Sequence, residues 1–168
     1  MLKWRLCHQD ELVRWVKGNV VIIGDASHPT LPYQAQGAAM AVEDGAILGH
    51  LLGKIKHGLW QGEAPAKEPV NASLELFEHL RKHRTTINVQ GAVNNQRLFH
   101  MTDGPGRKQR DRMMEMTDWK TQSPTDFSWN DLKYQSAMLG FDFITDADRA
   151  FGAMAGNNRI PDNEDSKL

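Results

Sequence analysis

The feature that most constrains this chain is a run of four β-branched residues, Val20-Val21-Ile22-Ile23, closed by Gly24-Asp25. Such a run between turn formers reads as a strand buried on both faces, as in a parallel sheet. Ala26 to Gln36 holds Pro29 and Pro32 and no periodicity, so it reads as a loop. From Gln36 or Gly37 to about Gly53 the pattern is helical, rich in Ala and Leu. The order of strand, Gly-Asp, proline loop and helix has a chemical logic. Ligands of open α/β sheets bind beyond the carboxyl ends of the strands. Asp25 stands there as a fixed acceptor suited to ligand hydroxyls. Gly37, with Ala38 and Ala39 after it, lets backbone approach a flat ring closely. The free N–H groups and positive dipole end of the helix favour negative charge nearby. A purely structural βα turn, with Asp25 capping a backbone group, is the bland alternative, and for a bare Gly-Asp dipeptide it would be preferred.

Around this unit the chain reads as follows. Lys3-Trp4-Arg5-Leu6 alternates like a short strand, and Asp10 to Val16 reads as one or two helical turns stopped at Gly18-Asn19. Residues 54–72 form a polar connector with Gly58, Gly62, Pro65 and Pro69. Ser73 is a plausible N-cap with Glu75 in the first turn. Leu74, Phe77, Leu80, Arg84, Ile87, Gly91 and Leu98 then mark a long helix to roughly Met101. Asp103 to Gly106 breaks it, and a charged helix over Arg107–Trp119 follows. The remainder is expected to be loop-rich, anchored by Phe127, Trp129, Tyr134, Phe141 and Phe143, with a polar, disordered end from Asn157. These segments divide the chain at 1–54, 55–72, 73–120 and 121–168.

Composition narrows the function classes. The 168 residues carry 20 Lys and Arg against 21 acidic residues, a net charge of −1, so no nucleic-acid footprint is expected. No apolar run reaches the ~18 residues that a membrane span requires. A single cysteine, Cys7, excludes an internal disulfide, fits a reducing, cytoplasmic setting and is expected to be buried filler. Glu75, His79 and His83 recur at four-residue spacing, but a solvated face is favoured over a metal site, and no metal is expected. Arg81-Lys82-His83-Arg84 is expected to be mixed-charge helix surface. His28 is assigned to loop ordering by hydrogen bonding rather than to acid–base chemistry, and a Ser27–His28 nucleophile pair is rejected because adjacent side chains diverge. Gly45, Gly49 and Gly53 share one helix face and are expected to permit close packing against a neighbour. No catalytic residue is identified.

The stretch GDASHPTLPYQAQGAAMAVEDG resembles the GD-type motif of the flavoprotein hydroxylases that include salicylate hydroxylase, the FAD-dependent aromatic-ring monooxygenases. Gly24 to His28, Pro29 and Pro32, Gln36-Gly37 and Glu43-Asp44 carry the likeness. FEHLRKHRTTINVQGA, with Arg81 and Arg84, resembles that family's long C-terminal helix, and LGFDFITDA resembles its aromatic–Asp close. The resemblance implies the C-terminal portion of an α/β, glutathione-reductase-like FAD-binding fold, incomplete here and mostly α-helical with one or two short strands. It implies FAD as cofactor, NAD(P)H as co-substrate and hydroxylation of a small aromatic compound with O₂. It places Asp25 against the ribityl and pyrophosphate side of FAD and Pro32 beside the isoalloxazine. It also directs the N–H groups of Gly37, Ala38 and Ala39 at the flavin's pyrimidine edge. The family's G-x-G-x-x-G turn, which holds the pyrophosphate, does not occur in this sequence. The alternative is therefore a non-enzymatic helical remnant, an interaction module without flavin.

Overall fold

A computed structural model describes residues 5–56, 69–116 and 131–157. Strands β1 (Val16–Lys17) and β2 (Val20–Val21) pair antiparallel, with Val16 opposite Val21 and Lys17 opposite Val20. Five helices follow: α1 (Gly37–Lys56), α2 (Pro69–Phe99), α3 (Pro105–Met116), α4 (Leu132–Leu139) and α5 (Phe143–Asn157). Short 3₁₀ turns at Gly24–Ala26 and Pro32–Gln34 lie between β2 and α1.

The segment before Gly24 departs from expectation. Asp10 to Val16 is not helical; its end is a strand, turned through the two-residue loop Gly18-Asn19. Gly18 sits at φ +57, the left-handed region that a two-residue hairpin loop requires and that glycine enters without cost. The β-branched run is correspondingly neither parallel nor buried on both faces. Among the described residues β2 pairs only with β1, and Val20 is 67% and Ile23 40% exposed. Arg5 and Leu6 are irregular, and Cys7 is exposed rather than buried.

The hairpin is held from outside its own ladder. Glu78 of α2 accepts hydrogen bonds from the backbone N–H groups of Trp15 and Val16, both at 3.0 Å. Lys82, one turn on, pairs with Glu78 at 3.1 Å and donates to the Val13 carbonyl at 2.6 Å. Two charged side chains of one helix thus satisfy a stretch of chain that has few ladder bonds of its own. Trp15 then enters the core, which α1, α2 and α5 build from Ile47, Leu51, Leu76, Phe77, Ala147, Phe151 and Met154. A smaller cluster of Leu31, Ala92 and Val93 fastens the proline loop to the C-terminal part of α2.

Helix α2 starts at Pro69, four residues before the proposed cap, and Ser73 lies buried inside it. Proline is favoured in the first helical turn, where its missing N–H costs nothing. Helix α1 runs to Lys56, so the polar connector is helical at both ends, and its centre lies outside the described residues. Between Leu132 and Asn157 the chain is two helices joined by a short turn, not a loop. Asp131 accepts from the Tyr134 N–H and Asp142 from the Thr145 N–H, side-chain caps that open α4 and α5. Phe127, Trp129, the end of the charged helix and the polar C-terminus fall outside the described residues. Among the described residues a Cβ at Gly45, Gly49 or Gly53 would meet nothing within 4 Å, so the close packing expected on that face of α1 is not seen there.

Because Glu78 alone accepts the two N–H groups that dock β1, its removal tests the docking. Glu78→Ala is expected to cost at least about 2 kcal/mol in urea unfolding, since a single hydrogen bond to a charged group contributes roughly 1.5–3 kcal/mol. Retention of full stability in that variant would mean that the hairpin is held by Trp15 packing instead.

Candidate functional site

The loop between β2 and α1 is shaped by one carboxylate. Asp44, fully buried on α1, accepts from the Gly24 backbone N–H at 2.9 Å and lies 2.7 Å from His28 Nε2, both through Oδ2. Its other oxygen accepts from Arg81 Nε at 2.7 Å. Gly24 and His28 are the two ends of the GDASH turn, so a single side chain fixes both. Within the turn, Ser27 Oγ and the N–H groups of Ser27 and His28 all donate to the Gly24 carbonyl. Gly24 at φ +57 supplies the reversal, and a Cβ there would meet Ala41 Cβ at 3.5 Å. The turn is thereby laid against the first turns of α1, and the expectation that His28 orders the loop holds.

The neighbouring Glu43 completes an ion-pair cluster. Arg84 grips it bidentately, Nε to Oε2 at 2.9 Å and Nη2 to Oε1 at 2.7 Å, and Arg81 Nη1 reaches Oε2 at 2.6 Å. Arg81 also donates to the Met40 carbonyl at 3.2 Å. Arg84 donates to the Ala137 and Met138 carbonyls at the end of α4 and lies over the Phe141 ring. The reading of Arg81 to Arg84 as mixed-charge surface is therefore wrong for both arginines, which are 0% and 7% exposed. A signal was available: Leu74, Phe77, Arg81, Arg84, Asn88, Ala92 and Asn95 recur every three or four residues, and all are buried. Arginines at core positions of a helix ask for carboxylates opposite, and Glu43-Asp44 supplies them.

Burial alone raises both acids. For Asp44 the His28, Gly24 and Arg81 interactions outweigh it, and for Glu43 the two arginines do, so each carboxyl is held below its ordinary range. The lower half of the loop is pinned separately. Asn95 donates to the Tyr33 carbonyl at 3.0 Å, and the Tyr134 hydroxyl donates to Gln34 Oε1 at 2.7 Å. Gly91 makes room for that pair, since a Cβ there would stand 2.0 Å from Gln34 Nε2. Ala35 takes a left-handed conformation, φ 52, before α1 begins.

While these anchors are buried, the residues singled out for cofactor contact face outward. Asp25, Pro32, Ala38 and Ala39 are exposed and Gly37 is half-buried. The Asp25 carboxylate has no hydrogen-bond partner among the described residues. The first intrahelical bond of α1 runs from Met40 N–H to the Gln36 carbonyl. The N–H groups of Gly37, Ala38 and Ala39 precede it and are the unsatisfied donors every helix start carries. Gly37 has little space to spare, for a Cβ would meet Thr30 Cγ2 at 3.2 Å. Asp25 thus leaves an acceptor open, and the small-residue start of α1 leaves N–H donors open. Among the described residues no cluster of His, Cys, Asp and Glu could hold a metal, and no helix is long and apolar enough to cross a membrane.

Comparison with known proteins defines the class first: residues 4–68 match the family of FAD binding domains. An FAD-dependent monooxygenase of Beauveria bassiana is 37% identical over 150 residues, covering 88% of this chain and 33% of that protein. The 3-hydroxybenzoate 6-hydroxylase 1 of Aquipseudomonas alcaligenes is 33% identical over 126 residues, 74% of this chain and 27% of its own length. The 3-amino-4-hydroxybenzoate 2-monooxygenase of Streptomyces cremeus is 36% identical over 127 residues, 76% and 28% respectively. The chain spans about a third of the length of the curated relatives it matches. It belongs to the family of FAD-dependent aromatic-ring monooxygenases.

Breaking the cluster from one side should be costly, because an uncompensated charge stays buried. Asp44→Asn is expected to lose about 3–5 kcal/mol of unfolding free energy. A loss below about 1 kcal/mol would show that the loop is not hung on this side chain. The pH dependence follows from the depressed acids. Their contribution is complete above the ordinary values of 4.5 for Glu43 and 3.8 for Asp44, and disappears as pH falls through their lower folded values. Acid unfolding followed by circular dichroism should show this loss, and Asp44→Asn should flatten it.

Proposed function

We propose that this chain is the flavin-contacting part of an FAD-dependent monooxygenase that hydroxylates a small aromatic compound with NAD(P)H and O₂. The observation that carries the reading is the division of the Gly24–Ala39 segment into buried anchors and outward-facing donors and acceptors. A loop with only a structural role has no need to leave Asp25 and three helix-start N–H groups open while its opposite side is held by Asp44, Asn95 and Tyr134.

In this reading Asp25 accepts from the ribityl hydroxyls on the pyrophosphate side, and Pro32 flanks the isoalloxazine. Gly37, Ala38 and Ala39 present their N–H groups to the pyrimidine edge. When bound, FAD supplies the redox chemistry, passing electrons from NAD(P)H to O₂. The protein's part is position and charge. The helix N-terminus favours negative charge at the ring edge, and the missing side chain of Gly37 allows backbone contact. Asp44 and His28 do not touch the cofactor; they keep Asp25 in place. The aromatic substrate is inferred from two of the relatives, which are named for a hydroxybenzoate and an amino-hydroxybenzoate.

The test is titration of FAD with the purified chain, alone and with a G-x-G-x-x-G-bearing half from a relative, read by flavin fluorescence. Saturable quenching is expected, tighter with the added half. Asp25→Ala should weaken it about tenfold, the equivalent of ~1.4 kcal/mol, without changing the unfolding midpoint, because Asp25 is exposed. A colourless chain that quenches in neither case would favour the helical interaction module.

A further inference from the structure

The Pro32–Gln34 turn ends in a residue held against its own preference. Ala35 closes it at φ 52, in the left-handed region where a Cβ crowds the backbone, and no other non-glycine among the described residues stands there. Such a conformation persists only where surrounding contacts impose it. The turn itself adds one backbone hydrogen bond, from the Ala35 N–H to the Pro32 carbonyl at 3.2 Å. The constraint on Ala35 therefore comes from the side chain beside it.

That side chain is Gln34, buried at 2% exposure against Gly91 of α2. A Cβ at Gly91 would stand 2.0 Å from Gln34 Nε2 and 2.7 Å from the Tyr134 hydroxyl oxygen, so the pair is seated directly on the α2 backbone. Among the described residues Gln34 Nε2 has no hydrogen-bond partner, and Oε1 accepts from the Tyr134 hydroxyl alone, at 2.7 Å. Burial pushes the Tyr134 pKa up, which keeps the hydroxyl a proton donor. A buried amide held by a single bond gains by moving to water once that bond is lost.

Tyr134 rides on α4, and α4 does not pack closely on the helix it faces. Met138 is its one buried residue, and a cavity of about 220 Å³ lies between it and Ile87 and Asn88 of α2. Polar contacts hold it there: the Tyr134–Gln34 bond, and Arg84 donating to the Ala137 and Met138 carbonyls. We propose that Tyr134 is a positioning residue and α4 a latch on the loop. Seated on Gln34, the hydroxyl keeps Ala35 left-handed and so fixes both Pro32 and the start of α1; when it withdraws, Gln34 leaves and the turn relaxes. That the turn serves a flavin rests on the reading above, whereas the hold of Tyr134 on the turn does not.

Amide hydrogen exchange and nitrogen-15 spectra of the flavin-free chain test the hold. Tyr134→Phe keeps the ring and removes the hydroxyl. Exchange at Ala35 should quicken about fivefold, the scale of one hydrogen bond, and its HN–Hα coupling should leave the left-handed value. Ile47 and Leu51 in the core should keep their rates. Gly91→Ala, which displaces the same pair from the α2 side, should reproduce the local effect; should it not fold, Tyr134→Phe decides alone. An unchanged Ala35 in Tyr134→Phe, or equal acceleration at Ile47 and Leu51, overturns the proposal, since the hydroxyl would then be idle or would serve general stability only. FAD titration with the added half separates the two readings. Weaker quenching by Tyr134→Phe than by the unaltered chain is expected, and equal quenching by both means that the latch does not govern flavin contact. No quenching by either sinks the flavin reading, and the exchange result then decides the latch by itself.

Discussion

The Asp44 carboxylate sits at zero exposure between α1 and α2, and three separate parts of the chain converge on it. Gly24 and His28 bring the loop, Arg81 brings the long helix, and Asp44 itself belongs to α1. Glu43 beside it holds the second arginine, Arg84, which in turn ties down the end of α4. Removing these groups from water is expensive, and what offsets the expense is the completeness of the pairing. Adjacent carboxylates on one helix must meet guanidiniums three residues apart on another. Only one register of α1 against α2 allows both, so the cluster sets how the helices align as well as where the loop lies.

The consequence for the site is a separation of duties within one short segment. The side chains that fix the loop point into the protein, and those left to face outward are free of internal partners. Asp25 is a case in point: it needs no neighbour of its own because Gly24 and His28 on either side of it are already fixed by Asp44. The Pro32–Gln34 turn is held in the same manner by Asn95 and Tyr134. A surface prepared like this changes little when a ligand arrives, which lowers the ordering cost of binding.

Local patterns were legible where they depend on neighbours in sequence. The turn at Gly24-Asp25, the start of α1 at Gly37 and most of α2 could be read from glycine, proline and three-to-four spacing. Patterns that depend on distant partners were not. The β-branched run from Val20 suggested a doubly covered strand, whereas its only described partner is the two-residue β1, docked by Glu78 from 62 and 63 residues away. Arg81 looked like surface because charge is usually solvated, and only its position on the buried stripe of α2 argued otherwise. Helices α4 and α5 were missed because their short apolar faces are weak signals beside aromatic residues that read as loop anchors; the caps at Asp131 and Asp142 were the clue.

By itself the sequence determined the strand-to-loop-to-helix order and the family to which the chain belongs. Those follow from backbone preferences and from a motif whose spacing is fixed along the chain. The tertiary structure decided what holds that motif in shape. The hydrogen bonds between the Asp44 carboxylate and groups 16, 20 and 37 residues away cannot be inferred from local propensity, because each depends on where a distant part of the chain comes to rest. The GDASH segment that looked self-sufficient in the sequence is a loop suspended from a buried ion-pair cluster.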